Sequence, residues 1–140
     1  MNITRRSFFR TLAAAVPAAW AVVALPRSLA WAKTKKLAIP LSKAEKLKVV
    51  GGWAVLKIKD MEILFMRDSE TTVKASDAKC THQQCPVKYN PEKKRIDCTC
   101  HGSAFEFSGK VINGPAEKDI KVYNATLDGE RIIVEVEEAD

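Results

Sequence analysis

All four cysteines and both histidines of the 140-residue chain lie between Cys80 and His101. The stretch reads Cys-Thr-His-Gln-Gln-Cys from Cys80 to Cys85, then Cys-Thr-Cys-His-Gly-Ser-Ala-Phe from Cys98 to Phe105. Two ligand pairs can be taken from it, Cys80-x-His82 and Cys98-x-x-His101, with Cys85 and Cys100 left over. Thiolate and imidazole both bind metals, and a set of two sulfurs and two nitrogens suits zinc or an iron–sulfur cluster. Fifteen residues separate His82 from Cys98. That is enough chain for two short ligand-bearing loops, each ending a β-segment, to face one another around a metal centre.

The quoted residues carry a resemblance: the stretch is similar to the cluster-binding region of Rieske iron–sulfur proteins of the respiratory and photosynthetic quinol-oxidising type. In a Rieske [2Fe-2S] centre two histidines replace two cysteines on one of the two irons. Carried over by position, the resemblance implies one such cluster per chain, with Cys80 and Cys98 on the buried iron and His82 and His101 on the outer one. It further implies a disulfide between Cys85 and Cys100. Ser103 stands where the family's serine donates a hydrogen bond to a bridging sulfide, and Asn113-Gly114-Pro115-Ala116 resembles the proline-containing loop that covers the cluster from a third side. Phe105 departs from the pattern, because high-potential members carry a tyrosine there. Loss of that hydroxyl donor implies a lower potential.

Two plainer readings compete. Four cysteines in an exported protein can form two disulfides, but such a framework does not require two histidines at fixed offsets. Cys/His pairs also bind structural zinc, yet zinc takes four ligands and leaves a cysteine pair unexplained.

The elements that must position these loops read as β-structure. Leu37 to Leu41 is predicted as an edge strand, since Pro40 excludes a central position, and Ser42 to Lys48 as a helical turn. Gly51-Gly52 marks a bend before a strand beginning near Trp53. Ala54–Ile58 and Glu62–Met66 flank Lys59-Asp60-Met61 as a hairpin, and Thr72 to Ala78 leads into the first ligand loop. Lys88 to Arg95 is expected as a solvated turn leading into Arg95-Ile96-Asp97, with Lys93, Lys94 and Arg95 more plausibly solvated than docking. A second sheet is expected after the site, from Phe105–Phe107, Lys110–Ile112, Ile120–Thr126 and Arg131–Val136, the last two joined around Asp128-Gly129. Short strands at this spacing favour an all-β sandwich or partly open barrel. The resemblance sharpens this to a Rieske-like antiparallel β-sandwich with a small cluster-binding subdomain, over residues 37–140.

Residues 1–32 read differently. Thr4-Arg5-Arg6-Ser7-Phe8-Phe9-Arg10 resembles a twin-arginine export signal, followed by an apolar run from Leu12 to Leu25 and the small-x-small site Ala30-Trp31-Ala32. Fifteen residues from Thr11 to Leu25 span ~22 Å as a helix, short of a ~30 Å hydrocarbon core. Cleavage after Ala32 is therefore preferred to retention as a membrane anchor, with 33–36 as a linker. Formal net charge is +6, but Arg5, Arg6, Arg10 and Arg27 account for +4 of it, leaving 19 Lys and Arg against 17 Asp and Glu. The basic balance belongs to targeting, so no nucleic-acid partner is expected.

The functional expectation is a one-electron carrier, periplasmic or on the outer face of the cytoplasmic membrane, and a redox subunit rather than a complete enzyme. Its implied setting is a quinol–cytochrome c reductase-like complex, with a cytochrome or larger redox subunit as partner and membrane quinol reached through a partner. The alternative is the small relay subunit of an exported molybdenum oxidoreductase, resembling that of arsenite oxidases. A zinc-stabilised binding module comes third. A ferredoxin feeding an oxygenase fits export and the extra cysteine pair less well, and a terminal oxygenase would need a longer chain.

Overall fold

The computed structural model describes residues 34–137. The expected export or anchor segment lies outside the described residues. Among those described, eleven strands form three antiparallel sheets, and the helical pieces are two 3-10 turns, Leu41–Lys43 and Glu45–Lys48. No helix among them is long and apolar enough to cross a membrane.

The first sheet has the order β1-β11-β10, from β1 (Thr34–Pro40), β10 (Ala125–Asp128) and β11 (Arg131–Glu137). β1 is an edge strand ending at Pro40, where a missing N–H costs the ladder little. It begins earlier than the sequence implied: Thr34 to Lys36, expected as linker, pair with Glu137 to Glu135. The second sheet has the order β2-β3-β4-β9, from β2 (Trp53–Ile58), β3 (Met61–Arg67), β4 (Val73–Asp77) and β9 (Val122–Tyr123). Ile58 pairs with Met61, so the expected hairpin turns on Lys59-Asp60, with Lys59 at φ 54°.

The third sheet holds the ligand loops and has the order β5-β6-β7-β8, from β5 (Val87–Asn90), β6 (Arg95–Cys98), β7 (Ala104–Glu106) and β8 (Val111–Asn113). Here the sequence reading needs correction. The stretch beginning at Lys88 is a strand until Asn90, because Val87 and Tyr89 bury alternate side chains, and the turn is confined to residues 91–94. Lys94 bonds Asp68, 3.0 Å away, and Arg95 Nε sits 2.7 Å from Asp97 Oδ1 as an ion pair, off the line of a hydrogen bond. Two of the three candidate docking cations are thus engaged within the fold. Ile120 to Thr126 is also not one strand. It breaks at Asn124, with Val122–Tyr123 pairing β4 and Ala125–Asp128 pairing β11. The following turn is Gly129-Glu130, one residue later than expected, since Asp128 pairs with Arg131.

Two cores result. Ile63 and Phe65 of β3 face the larger one with Leu47, Val73, Ile132 and Val134, while Leu64 and Met66 face the other with Val87, Tyr89, Ile96 and Phe105. All four β3 residues are fully buried. Strand periodicity of two sends neighbouring side chains to opposite faces, so β3 serves both cores. The third sheet is an excursion between β4 and β9 whose ends meet: Asp77 N–H donates to Lys121 O at 2.9 Å, and Ser76 pairs with Val122.

Candidate metal centre

Each candidate ligand loop is a hairpin tip closed by its own cysteine. Cys80 N–H donates to Cys85 O at 2.7 Å, and Cys98 N–H donates to Ser103 O at 2.8 Å. In both cases the acceptor lies five residues downstream, so the histidine is carried at the crest of the turn. Gln84 at φ 57° and Gly102 at φ 76° make the reversals. A side chain at Gly102 would meet nothing within 4 Å, so the left-handed backbone rather than space calls for glycine there. Below the first tip the Lys79–Pro86 bridge continues the pairing, and below the second Asp97 pairs with Ala104.

Burial separates the cysteine candidates from the histidine candidates. Cys80 and Cys98 are free thiols, 1% and 6% exposed, within the core that contains Phe105. His82 and His101 are exposed, their ring centroids 5.1 Å apart in an edge-to-face arrangement. Cys85 and Cys100 form a disulfide between the loops, with Cα atoms 6.2 Å apart. Burial pushes the Cys98 thiol up, but bonds from the Cys100 and His101 backbone and from the Cys80 thiol hold it below its ordinary value. The same bonds favour the thiolate, the form that metals bind.

Further bonds tie the loops together. Thr99 bonds Pro86 O through its side chain at 3.0 Å and its backbone N–H at 3.3 Å, beside the disulfide. The Gly114-Pro115 segment lies against both loops. Thr81 Oγ1 donates to Lys118 O at 2.6 Å, Asn113 Nδ2 to Gly102 O at 3.0 Å, and Ala116 N–H to the Oγ of fully buried Ser103 at 3.0 Å. Ser103 Oγ therefore accepts from the covering loop and keeps its own proton to donate. Thr81, Thr99 and Asn113 were not singled out from sequence as site residues for these ties. Their partners are main-chain carbonyls up to 37 residues away, and nothing in the local spacing announces them.

The donor set fits a two-iron cluster. Buried thiols and exposed imidazoles present two separate pairs, as a centre with cysteines on one iron and histidines on the other requires.

Comparison with known proteins agrees. Residues 38–124 match the profile of the Rieske [2Fe-2S] domain. The chain is 41% identical over 56 residues to the cytochrome b6-f complex iron-sulfur subunit of Synechococcus sp. strain JA-3-3Ab, an alignment covering 40% of this chain and 33% of that one. It thus matches about a third of the length of that relative. In fold it is similar to the plasma membrane Rieske protein of Synechocystis PCC 6803, with TM-score 0.56 and 24% identity over 71% of this chain and 99% of that one. It is also similar to a Sphingomonas yanoikuyae B1 ferredoxin, with TM-score 0.59 and 18% identity over 73% of this chain and 99% of the other. With the domain profile spanning most of the chain and the cysteine and histidine pairs placed as described, this chain belongs to the Rieske [2Fe-2S] family.

Proposed function

We propose that the protein is a one-electron carrier in which Cys80 and Cys98 hold the inner iron and His82 and His101 the outer one. The observation that carries this reading is the separation of buried thiols from exposed imidazoles on two loops joined by the Cys85–Cys100 disulfide. When bound, the cluster supplies a one-electron couple in the range ~ −150 to +300 mV. The chain's own residues do the rest. The core around Cys80 and Cys98 keeps water from the sulfurs, the imidazole edges give a partner the shortest approach, and Ser103 Oγ offers a proton to stabilise negative charge on sulfur. Exposed Pro86 and Pro115, on the first loop and the covering loop, would supply apolar contact to a partner.

The partner in this reading is a cytochrome or a larger redox subunit, within a quinol-oxidising complex on the outer face of the cytoplasmic membrane reached by twin-arginine export. Similarity to a cytochrome b6-f subunit supports this setting. Metal and sulfide analysis with low-temperature EPR of the reduced protein tests the cofactor assignment. Two irons and two sulfides per chain with a rhombic signal of low average g are expected, and Cys80→Ser, His82→Ala, Cys98→Ser or His101→Ala should each abolish that signal. Zinc without the signal would overturn the reading. Purification from native membranes tests the setting: a co-purifying cytochrome is expected, whereas a molybdenum subunit would replace the quinol-oxidising complex by an exported molybdenum oxidoreductase.

A further inference from the structure

Asn113 stands at the end of β8, and its carboxamide is committed to main-chain carbonyls. Nδ2 donates to Gly102 O at 3.0 Å and to Gly114 O at 3.2 Å. An Asn amide has two N–H donors, so one planar group bridges the second ligand loop and the covering loop. The bridged carbonyl is significant because of where it lies. Gly102 directly follows His101 and precedes Ser103, and it sits at φ 76°, a region in which a glycine backbone is otherwise free to move. A peptide unit is planar. Fixing the Gly102 carbonyl therefore fixes the plane of the Gly102–Ser103 peptide and restricts the Gly102 torsions through which the chain leaves His101.

Other bonds hold the near side of this crest, where the Cys100 and His101 backbone bonds the Cys98 thiol. The disulfide holds Cys100, on the near side of His101, and the Ala116 bond holds the Ser103 side chain. First-loop ties to the covering segment run through Thr81 and Lys118. Asn113 instead reaches the Gly102 carbonyl, one peptide further along the chain than His101. A β-bulge between Ala104 and Phe105 in the β7–β8 pairing brings Asn113 opposite Ala104, within reach of Gly102.

From this geometry we infer that Asn113 is a positioning residue for His101, setting the orientation of that imidazole at the cluster without touching it. The inference rests on His101 being a ligand, as proposed above. It predicts an asymmetry: loss of the Asn113 amide disturbs one of two imidazoles and leaves His82 as it was.

The test uses full-length cluster-loaded protein with 15N-labelled histidine, reduced and read by pulsed electron–nuclear double resonance, with voltammetry alongside. Wild-type protein should show two ligand-nitrogen couplings. Asn113→Leu, close in shape but without donors, should shift one coupling and the reduction potential while the other coupling stays. Asn113→Gln, which keeps the amide, should restore both. Unchanged couplings and potential in Asn113→Leu, or equal shifts in both couplings, overturn the inference even if thermal stability falls. If Asn113→Leu does not load, Asn113→Gln decides: wild-type couplings support the role, and altered couplings or failure to load overturn it. Absence of two nitrogen couplings in the wild type would instead overturn the ligand assignment itself.

Discussion

Phe105 lies fully buried in the core shared by Cys80 and Cys98, and its backbone pairs with Ile96 two residues before Cys98. A hydroxyl added to that ring is costly unless it finds an acceptor, and the Cys80 and Cys98 sulfurs belong to the same core. Phe105→Tyr is therefore expected to raise the reduction potential, since a donor to sulfur favours the more negative reduced form; protein-film voltammetry measures it, and no change would mean that the ring does not reach a sulfur. Cys85→Ser separates ligand from staple. Closing a loop with a sequence separation of 15 is worth ~3 kcal/mol in the chain-entropy model, so this variant should assemble the cluster under gentle conditions yet melt at lower temperature. Failure as complete as that of Cys80→Ser would show the two roles exchanged. The cysteines and histidines stood out as candidates because metal-binding chemistry resides in residue type and offset. Thr81 and Thr99 did not, nor did the amide bond of Asn113 within the expected covering loop, since a hydroxyl or amide reaching a distant carbonyl leaves no periodic trace.

Arg67, at the end of β3, secures the entry to the second sheet. Its guanidinium donates to four carbonyls: Leu47 at 2.9 Å, Lys48 at 3.1 Å, Ser69 at 3.1 Å and Glu70 at 2.7 Å. Arg67→Met leaves those acceptors without their charged donor and should destabilise the protein by ~2 kcal/mol, read by urea denaturation. Gly52 lies in the same corner, where an added Cβ would fall 1.6 Å from Lys46 O. Gly52→Ala must therefore displace backbone, and a larger loss than for Arg67→Met is expected in the same assay. Local signals were good guides wherever an element is made by neighbours in sequence. The β2–β3 hairpin, the Pro40 edge strand and the bend at Gly51-Gly52 were legible for that reason. Where partners are distant, the reading slipped. Val87 and Tyr89 alternate as a strand should, but the lysines and Asn90-Pro91 between and after them speak for solvent. The apolar run through Tyr123 carries no mark of its break at Asn124, because the break is made by two different sheets claiming its two halves.

At the scale of the whole molecule, Tyr123 joins β9 to the end of β4 by donating its hydroxyl to Asp77. Burial first, then that bond and the negative charges of Asp77 and Glu137, push its ionisation well above the ordinary value of 10.0. Tyr89 is raised in the same direction, by burial first and then by Asp68, with Lys94 opposing. A group whose proton is held more tightly in the folded state contributes stability that is complete below its unfolded pKa and is lost as pH rises toward its folded one. Stability is thus expected to decline above pH ~10, and Tyr123→Phe should flatten part of that decline in denaturant titrations at successive pH values. The Asp77–Lys121 closure beside this tyrosine has another consequence. A chain that leaves a sheet and re-enters it at the adjacent position behaves, for the rest of the molecule, as a hairpin with an oversized loop. Each doubling of such a loop costs only ~0.6 kcal/mol in closure entropy. Residues 79–120 are in that sense an exchangeable cassette: the two remaining sheets keep every strand pairing if a short reverse turn takes its place, and the exposed scar is Ala78, a flank of Trp53 and, on the second face of β3, Leu64 and Met66. With Leu64 and Met66 made polar, the metal-free remainder should fold as a minimal β-protein, and the same socket should accept inserts of other lengths and chemistries.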